Sequence, residues 1–222
     1  MNRAYEVVRA FLHGRDPHAP GASQSGADER LALEALAILA ERHERRTTRV
    51  TPVATTPRTA LRARRSASVL RELIRGATLE IIVLGYDVSD VDIINELAQR
   101  ASVGVAVDLL VDGAQTPIDR LVEAWPVGAG QARVWSTSLD ERGRAYRLHA
   151  KAIIVDGRRC MLGSANLTYS GLHTNLELGV LLEGPVARRV RSHVSQMRRS
   201  GIVVPSTTLG DEPSPQSEAG TP

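Results

Sequence analysis

The segment 149–166 holds the residues of this chain whose types and spacing best suit chemistry on a phosphate. His149 and Lys151 are two positions apart in the stretch HAKAIIV, which predicts a strand. Side chains at positions i and i+2 of a strand project from the same face, so the imidazole and the ammonium should lie side by side. The ammonium would repel a metal ion. It can instead neutralise phosphate oxygens while His149 attacks phosphorus or transfers a proton.

The turn after the second predicted strand of this segment supplies further polar groups. Gly163, Ser164 and Asn166 lie in the sequence GSAN and offer a hydroxyl, a side-chain amide and backbone N–H donors. Such donors stabilise the charge that grows on equatorial oxygens in a phosphoryl-transfer transition state. Taken alone, GSAN is equally consistent with an ordinary turn. A single strand histidine is more often structural, and a single lysine is usually solvated.

Lys151 is the only lysine among the 28 lysines and arginines of the chain. A coding bias toward arginine accounts for the composition as a whole. Under that bias, a retained lysine marks a position that requires a compact ammonium, because a planar guanidinium fork is not an equivalent replacement. The composition therefore supports a chemical role for this position.

The segment HAKAIIVDGRRCMLGSAN resembles the HKD motif of the phospholipase D superfamily: His, one residue, Lys, four residues, Asp, six residues, Gly-Ser, one residue, Asn. All of the fixed positions are present at the expected spacing: His149, Lys151, Asp156, Gly163, Ser164 and Asn166. The resemblance implies a phosphodiesterase that needs no metal and no other cofactor. In that family one histidine attacks phosphorus to form a phosphohistidine, and a second histidine protonates the leaving oxygen. We therefore assign Asp156 to the candidate catalytic set, although in the family this Asp mainly supports the turn.

The mechanism implied by the resemblance needs two HKD motifs, and this chain has one lysine. Single-motif members of the family resolve this by pairing two subunits across a two-fold axis. The resemblance therefore implies a homodimer in which His149 of each protomer reaches one shared site.

Further candidate residues lie outside the motif. In the single-motif nucleases a downstream Glu orients the nucleophilic His, and Glu177 in LELGVLL is the matching residue. The alternative is an outward-facing strand glutamate. Tyr86 ends a predicted strand, where α/β sheets bind ligands, or it is a packing residue. Tyr169 and His173 follow the motif loop and either contact substrate or lie on the surface.

Alternating strands and helices surround the motif and predict an α/β fold. Strands are predicted at 79–84, 105–111, 131–135, 147–155, 159–162 and 176–182, and helices at 28–46, 58–75, from about 89, at 117–125 and at 185–200. With the resemblance, this pattern indicates a phospholipase D-like α-β-α sandwich with a mixed sheet. We predict an N-terminal helical extension with a flexible linker over 1–58, a catalytic domain over 59–204 and a disordered tail over 205–222.

Composition narrows the cellular setting. The single cysteine, Cys160, has apolar neighbours and is predicted to be a buried thiol, and no disulfide framework is possible. We find neither an apolar run long enough to span a bilayer nor a signal-peptide pattern, so no membrane association and a cytoplasmic location are expected. The net charge of +3 is too small to indicate a polyanionic partner by itself.

The leading functional interpretation is a nuclease that acts on DNA or RNA. The small single-motif chain, its arginine clusters and the absence of a hydrophobic anchor favour it over a lipase. A phospholipid hydrolase or transferase remains open, as does a nucleic-acid-binding subunit with little cleavage activity. The layout is similar to the phospholipase D-like component of bacterial DISARM anti-phage cassettes, which would imply a helicase and a DNA methyltransferase as partners.

Overall fold

The fold is organised around one mixed sheet. The structure, a computed structural model, describes residues 47–56, 63–112 and 117–210. The strands are β1 (Arg49–Thr55), β2 (Arg64–Arg65), β3 (Glu80–Gly85), β4 (Ala106–Val111), β5 (Ala132–Thr137), β6 (Ala152–Val155), β7 (Arg159–Gly163), β8 (Glu177–Glu183) and β9 (Val203–Leu209). The helices are α1 (Ser66–Arg75), α2 (Val91–Ser102), α3 (Ile118–Ala124) and α4 (Pro185–Arg199), with a short π-helix at Ser170–Thr174.

Strand order and direction bring distant parts of the chain to one edge of the sheet. Within the described ranges, the order is β2-β1-β8-β7-β6-β3-β4-β5-β9. Strands β3, β4 and β5 are parallel, whereas β6 is antiparallel to β3 and to β7, and β8 is antiparallel to β7 and to β1. The C-terminal ends of β1, β3, β4 and β7 therefore meet the N-terminal ends of β6 and β8. We call this end of the strands the His149 edge, and the other end of the strands, at the β6–β7 turn, the Asp156 edge.

Helices cover both faces of the sheet. One core cluster joins α1 and α2 to the sheet, through side chains such as Leu70, Leu73 and Ile94. The Asp90 carboxylate caps α2 by accepting a hydrogen bond from the N–H of Ile93, at 3.1 Å. A second cluster on the other face joins α4 to the sheet. The predicted α-β-α sandwich with a mixed sheet is confirmed.

The sheet extends beyond the predicted limits of the catalytic domain. Strand β1 pairs with β8 although it lies inside the predicted extension at 1–58, and β9 pairs with β5 although it enters the predicted tail at 205–222. Each missed strand contains a proline, Pro52 or Pro205, a residue that usually argues against a strand. Proline is tolerated near the border of a sheet, where no neighbouring strand requires its N–H. Strand β9 is an edge strand, and the neighbour of β1 on its outer side is only two residues long.

Other boundaries also differ. The helix predicted at 58–75 is described only from Ser66, and it is preceded by β2. The strand predicted at 147–155 begins at Ala152, so His149 and Lys151 lie just before it. The predicted linker and helix before residue 47, and the tail after residue 210, lie outside the described residues.

The structure also bears on two expectations from composition. Cys160 is buried in β7, as predicted, and burial raises the pKa of its thiol to about 12. A thiol with this pKa remains protonated and unreactive at neutral pH. Among the helices of the described ranges, none combines the length and apolar character needed to cross a membrane.

Candidate active site

His149 and Lys151 lie side by side at the His149 edge, in an extended segment that leads into β6. The Nζ atom of Lys151 is 3.4 Å from Nε2 of His149, and it donates a hydrogen bond to the His149 carbonyl oxygen at 3.0 Å. The N–H of Gly163 donates to the Lys151 carbonyl oxygen at 3.2 Å, which continues the pairing of β6 with β7. His149 is exposed and Lys151 is half-buried. A phosphate can therefore approach both groups from solvent.

Tyr86 forms a wall of the same site at the end of β3. Its ring packs edge-on against the imidazole of His149, with ring centroids 4.6 Å apart and an interplanar angle of 65°. The Nζ atom of Lys151 lies 5.0 Å from the centroid of the Tyr86 ring. A ring in this position restricts the imidazole and attracts the ammonium through its π face. Tyr86 thus contacts both members of the pair.

Glu177, at the start of β8, is held by two neighbours. The hydroxyl of Ser164 donates a hydrogen bond to Oε2 of Glu177, and the side-chain amide of Asn175 donates to Oε1 at 3.0 Å. The Ser164 oxygen also accepts a hydrogen bond from the N–H of Leu178, at 3.2 Å. These contacts fix the carboxylate and the hydroxyl relative to each other. Sequence reasoning found Glu177 but missed Asn175, whose polar side chain two residues before a strand carries little signal.

Gly163 permits the close approach that brings Ser164 to Glu177. A Cβ atom at Gly163 would lie 3.0 Å from the Leu178 carbonyl oxygen and 3.1 Å from the Cα of Gly179, both on β8. These contacts are tighter than a side chain normally tolerates, and the facing residue is also glycine. In this structure Gly163 acts on the spacing of β7 and β8. Its predicted contact with substrate stays a prediction.

The loop after β7 carries Asn166 and Tyr169 at the same edge. The Oδ1 atom of Asn166 is buried and has no hydrogen-bond partner among the described residues. Gly171, at the start of the π-helix, packs against the backbone of Asn166: a Cβ atom there would lie 2.4 Å from the Asn166 carbonyl oxygen. Tyr169 is exposed and stacks on His173, with centroids 4.8 Å apart. This loop is well defined by packing, and it leaves one polar group of Asn166 unmatched.

Burial and the nearby carboxylate act in opposite directions on Lys151. Burial lowers the pKa of the ammonium, while the negative charge of Glu177 raises it, and burial is the larger effect. A partly desolvated ammonium interacts more strongly with a phosphate than a fully hydrated one does. The site is therefore suited to hold an anion next to the His149 imidazole.

A family model described as "Cardiolipin synthase, PLD-like domain" matches residues 70–198. This range covers more than half of the 222 residues and includes the whole HKD-like segment. The chain belongs to the phospholipase D-like family.

This phospholipase D-like chain is also similar to a curated protein, the DISARM protein DrmC of Bacillus paralicheniformis (strain ATCC 9945a / NCIMB 11709 / CD-2). The two are 36% identical over 137 residues. The match covers 60% of this chain and 56% of the relative, so it spans just over half of the relative's length.

Solved structures of low sequence identity share the fold. Nuc of Salmonella typhimurium, described as a phospholipase D family member, gives a TM-score of 0.55 at 19% identity and covers 72% of this chain and 99% of its own. NucT from Helicobacter pylori gives 0.57 at 18% identity, covering 71% and 100%. Phosphatidylserine synthase of Haemophilus influenzae Rd KW20 gives 0.54 at 13% identity, covering 72% and 40%. These likenesses place the sheet and helices in the phospholipase D-like fold.

Asp156 does not join the site of this phospholipase D-like chain. It lies in the β6–β7 turn, and its carboxylate accepts hydrogen bonds from the backbone N–H groups of Thr78, Leu79 and Glu80 and from the Thr78 hydroxyl. Seven residue steps along extended chain separate it from His149, or roughly 20 Å. Its described contacts are structural, and its predicted catalytic role stays a prediction. Asp156 ties the β6–β7 turn to the start of β3.

The hydrogen bonds to Asp156 also set its ionisation. Burial alone would raise the pKa of this carboxyl, but the hydrogen bonds from the backbone of Glu80, Leu79 and Thr78 together outweigh it and lower the pKa. Asp156 also has a φ of 53°, in the left-handed region, where Asp and Asn are better tolerated than most residues. An ionised Asp is therefore the favoured residue in this turn.

Two further features of the site edge were not predicted. Asp112 follows β4 and accepts hydrogen bonds from Arg147 and from the backbone of Leu148, directly before His149. A carboxylate directly after a buried strand was the available signal, because strand ends of this kind meet at one edge. Leu176 and Leu178 flank Glu177 and are 80% and 70% exposed, although leucine is most often buried.

The described residues also bear on metal binding. No cluster of three or more His, Cys, Asp or Glu side chains with suitable geometry is found in those residues. The prediction that the chain needs no metal remains to be tested in solution.

Proposed function

We propose that the chain is a metal-independent phosphodiesterase that hydrolyses DNA or RNA through a phosphohistidine intermediate. The observation that carries this proposal is the adjacency of the His149 imidazole and the Lys151 ammonium, 3.4 Å apart at an accessible sheet edge. Ser164, Glu177 and Asn166 lie at the same edge. Together these groups supply a nucleophile, a phosphate-binding cation and hydrogen-bond donors.

The proposed reaction has two displacements. In the first, a ring nitrogen of His149 bonds to phosphorus while the bond from phosphorus to the leaving oxygen breaks, and a second histidine gives that oxygen a proton. In the second, the same histidine removes a proton from water, the water oxygen bonds to phosphorus and the nitrogen–phosphorus bond breaks. Lys151 neutralises non-bridging oxygens throughout. Glu177, held by Ser164 and Asn175, is assigned the role that the family resemblance implies, which is to orient the nucleophilic imidazole.

The second histidine is proposed to be the partner's His149 in a homodimer. One chain contains a single lysine and so can supply a single His–Lys pair. Leu176 and Leu178, which are largely exposed beside Glu177, offer apolar surface next to the site for a subunit contact. A two-fold axis through this edge would duplicate each group at one phosphate.

Nucleic acid is the proposed substrate class. The loop that leads to His149 carries Arg142, Arg144 and Arg147, all exposed to solvent. Cations beside a phosphodiester site can track the phosphate backbone. The similarity to Nuc and NucT over nearly their full length favours a compact enzyme of the same type.

A role in bacterial anti-phage defence is proposed from the similarity to the DISARM protein DrmC. In this setting the chain would act in the bacterial cytoplasm, beside the helicase and methyltransferase partners that the sequence layout suggested. If turnover proves slow, we propose instead that the chain is a subunit of such an assembly that binds nucleic acid and cleaves it little.

Phospholipid hydrolysis or transfer is a second candidate. The description of the matching family and the likeness to a phosphatidylserine synthase favour it, since one chemistry serves both classes of phosphodiester. Exposed Leu176 and Leu178 would then face a lipid surface instead of a second subunit.

A cleavage assay tests the proposal and separates the candidates. Purified protein is incubated in excess EDTA with single-stranded DNA, duplex DNA, RNA and anionic phospholipid vesicles, beside the His149→Ala variant. We expect nucleic-acid cleavage that requires His149. Binding should weaken as salt is added: in a plot of log affinity against log salt concentration, the slope should be about −0.9 for each duplex phosphate contacted. Activity that is lost in EDTA and restored by Mg²⁺ would contradict the metal-independent mechanism. Turnover of vesicles alone would establish the lipid candidate.

A further inference from the structure

The backbone that carries His149 is anchored at two points. Residues 147–151 lie outside any strand and run past the end of β3 before entering β6. After His149, the Lys151 carbonyl oxygen accepts a hydrogen bond from the N–H of Gly163, at 3.2 Å. Before His149, the N–H of Leu148 donates to Oδ2 of Asp112, at 3.1 Å. Asp112 therefore supplies the backbone anchor directly before the proposed nucleophile.

The Asp112 carboxylate is itself held rigidly. Its side chain is 1% exposed, and its Oδ2 atom also accepts a hydrogen bond from Nε of Arg147, at 2.9 Å. A buried carboxylate needs such partners, because unpaired burial of a charge is costly. The Leu148 side chain is buried in the cluster between the sheet and α4. The residue before His149 is thus fixed through both its backbone and its side chain.

We propose that Asp112 is a positioning residue that sets the place of the His149 imidazole. The proposal rests on the function proposed above for the chain. Asp112 makes no described contact with His149 itself and acts through Leu148. A displacement of about 1 Å at a reacting group can lower a rate about 10²-fold. The anchor keeps the imidazole against Tyr86 and within reach of the phosphate held by Lys151.

Asp108 provides a matched control on the same strand. Its side chain is 4% exposed and pairs with Arg133 at 2.7 Å and with Arg198 at 3.1 Å. It lies four residues before Asp112, within β4, and its described partners do not include the segment 147–151. Asp108 therefore resembles Asp112 in burial, charge and arginine pairing but not in contact with the His149 segment.

The experiment compares Asp112→Asn with Asp108→Asn in the full chain, with thermal unfolding measured for both. The first readout is the set of His149 imidazole resonances in ¹H–¹⁵N NMR spectra, assigned by their absence from His149→Ala. The second is kcat and KM for nucleic-acid cleavage. We expect Asp112→Asn to shift the His149 resonances and to lower kcat about 10- to 100-fold, with KM changed less than about threefold. Asp108→Asn should leave both readouts near those of the parent.

Two results would overturn the proposal. The first is that Asp112→Asn leaves the His149 resonances and kcat unchanged. The second is that Asp108→Asn changes them as much as Asp112→Asn does, which would indicate a general effect of losing a buried carboxylate. If Asp112→Asn does not fold, Arg147→Gln decides by the His149 resonances alone, since it releases the carboxylate from the solvent side but also removes a cation proposed to contact nucleic acid. Resonances that stay at parent values would then overturn the proposal. If the parent shows no turnover, the proposed function fails, and the NMR comparison still tests the positioning.

Discussion

The two ends of β6 differ sharply in how their polar groups are satisfied. At the Asp156 edge, one carboxylate accepts hydrogen bonds from three consecutive backbone N–H groups and a hydroxyl. At the His149 edge, an exposed imidazole and a half-buried ammonium lie next to each other, and Oδ1 of Asn166 is buried without a described partner. The first arrangement is complete without a ligand. The second leaves an imidazole and an ammonium that can bind an anion from solvent, and one acceptor oxygen unmatched.

We propose that the two ends of this one sequence motif serve two physical purposes. In this proposal His149, Lys151 and Ser164 form the chemical end, and Asp156 forms the architectural end. The strand between them is buried along its whole length and pairs on both sides. Substitutions at the first end should therefore change rate, and substitutions at the second should change stability.

His149→Ala should have the largest effect on rate. It removes both the proposed nucleophile and, in the proposed dimer, the acid, so we expect kcat to fall about 10⁴-fold or more with the fold intact. The control is His193→Ala, because His193 is exposed on α4, away from the site edge. The measurement is cleavage of the best nucleic-acid substrate, with circular dichroism to check the fold. A His149→Ala protein that retains parent activity would show that this end of β6 has no chemical role.

Lys151→Arg should have the next largest effect. A planar guanidinium is longer than an ammonium and should displace the phosphate from His149, so we expect a loss of about 10²-fold in kcat. Because burial lowers the pKa of Lys151, the parent should lose activity at an alkaline pH below the ordinary lysine value of about 10.4. Residual activity of the arginine variant should lack that alkaline decline. A fully active variant would mean that the single lysine reflects composition alone.

Asp156→Ala should change stability far more than rate. It leaves backbone donors of β3 unmatched and places alanine at a positive φ, at a cost of about 3 kcal/mol in the free energy of unfolding. Asp156→Asn should cost less, because Asn keeps one acceptor oxygen and tolerates this φ. We expect kcat within about twofold of the parent below the unfolding temperature, since Asp156 is roughly 20 Å from His149. A large loss of kcat in folded protein would support the predicted catalytic role of Asp156 instead.

The same turn predicts how stability depends on pH. The folded-state pKa of Asp156 is lowered, so its contribution to stability is complete above its unfolded pKa of about 3.9 and is lost as the pH falls through the folded value. The stability difference between the parent and Asp156→Asn should therefore shrink on acidification below about pH 4. Urea unfolding at pH 3 and pH 7 measures it, and a difference that widens at pH 3 would contradict this assignment.

The sequence predicted the central sheet well because its strands carry a strong signal. Strands β3, β4 and β7 are short runs of apolar residues bounded by turn residues, and the structure places them within one or two residues of the prediction. The HKD-like spacing likewise identified residues that meet at one edge. Strands β1 and β9 were missed because Pro52 and Pro205 mask them, and only pairing with distant strands makes them part of the sheet.

The parts of the site that could not be predicted depend on contacts between distant segments. Asp112 reaches Leu148 across 36 positions of sequence, and Asp156 reaches Thr78 across 78. Spacing within a motif carries no information about such contacts. The exposure of Leu178 also escaped prediction. Its apolar strand suggests burial, but no described segment covers this side chain.

Subunit mixing tests the central claim, a site shared by two histidines, most directly. Active protein is mixed with a ninefold excess of His149→Ala protein, and activity per active subunit is followed from the moment of mixing, before exchange, until exchange is complete. A shared site predicts that this activity falls about tenfold, because almost every active subunit then faces a partner without the histidine. A value that stays constant, or full activity from a protein that is monomeric by light scattering, would contradict the shared site.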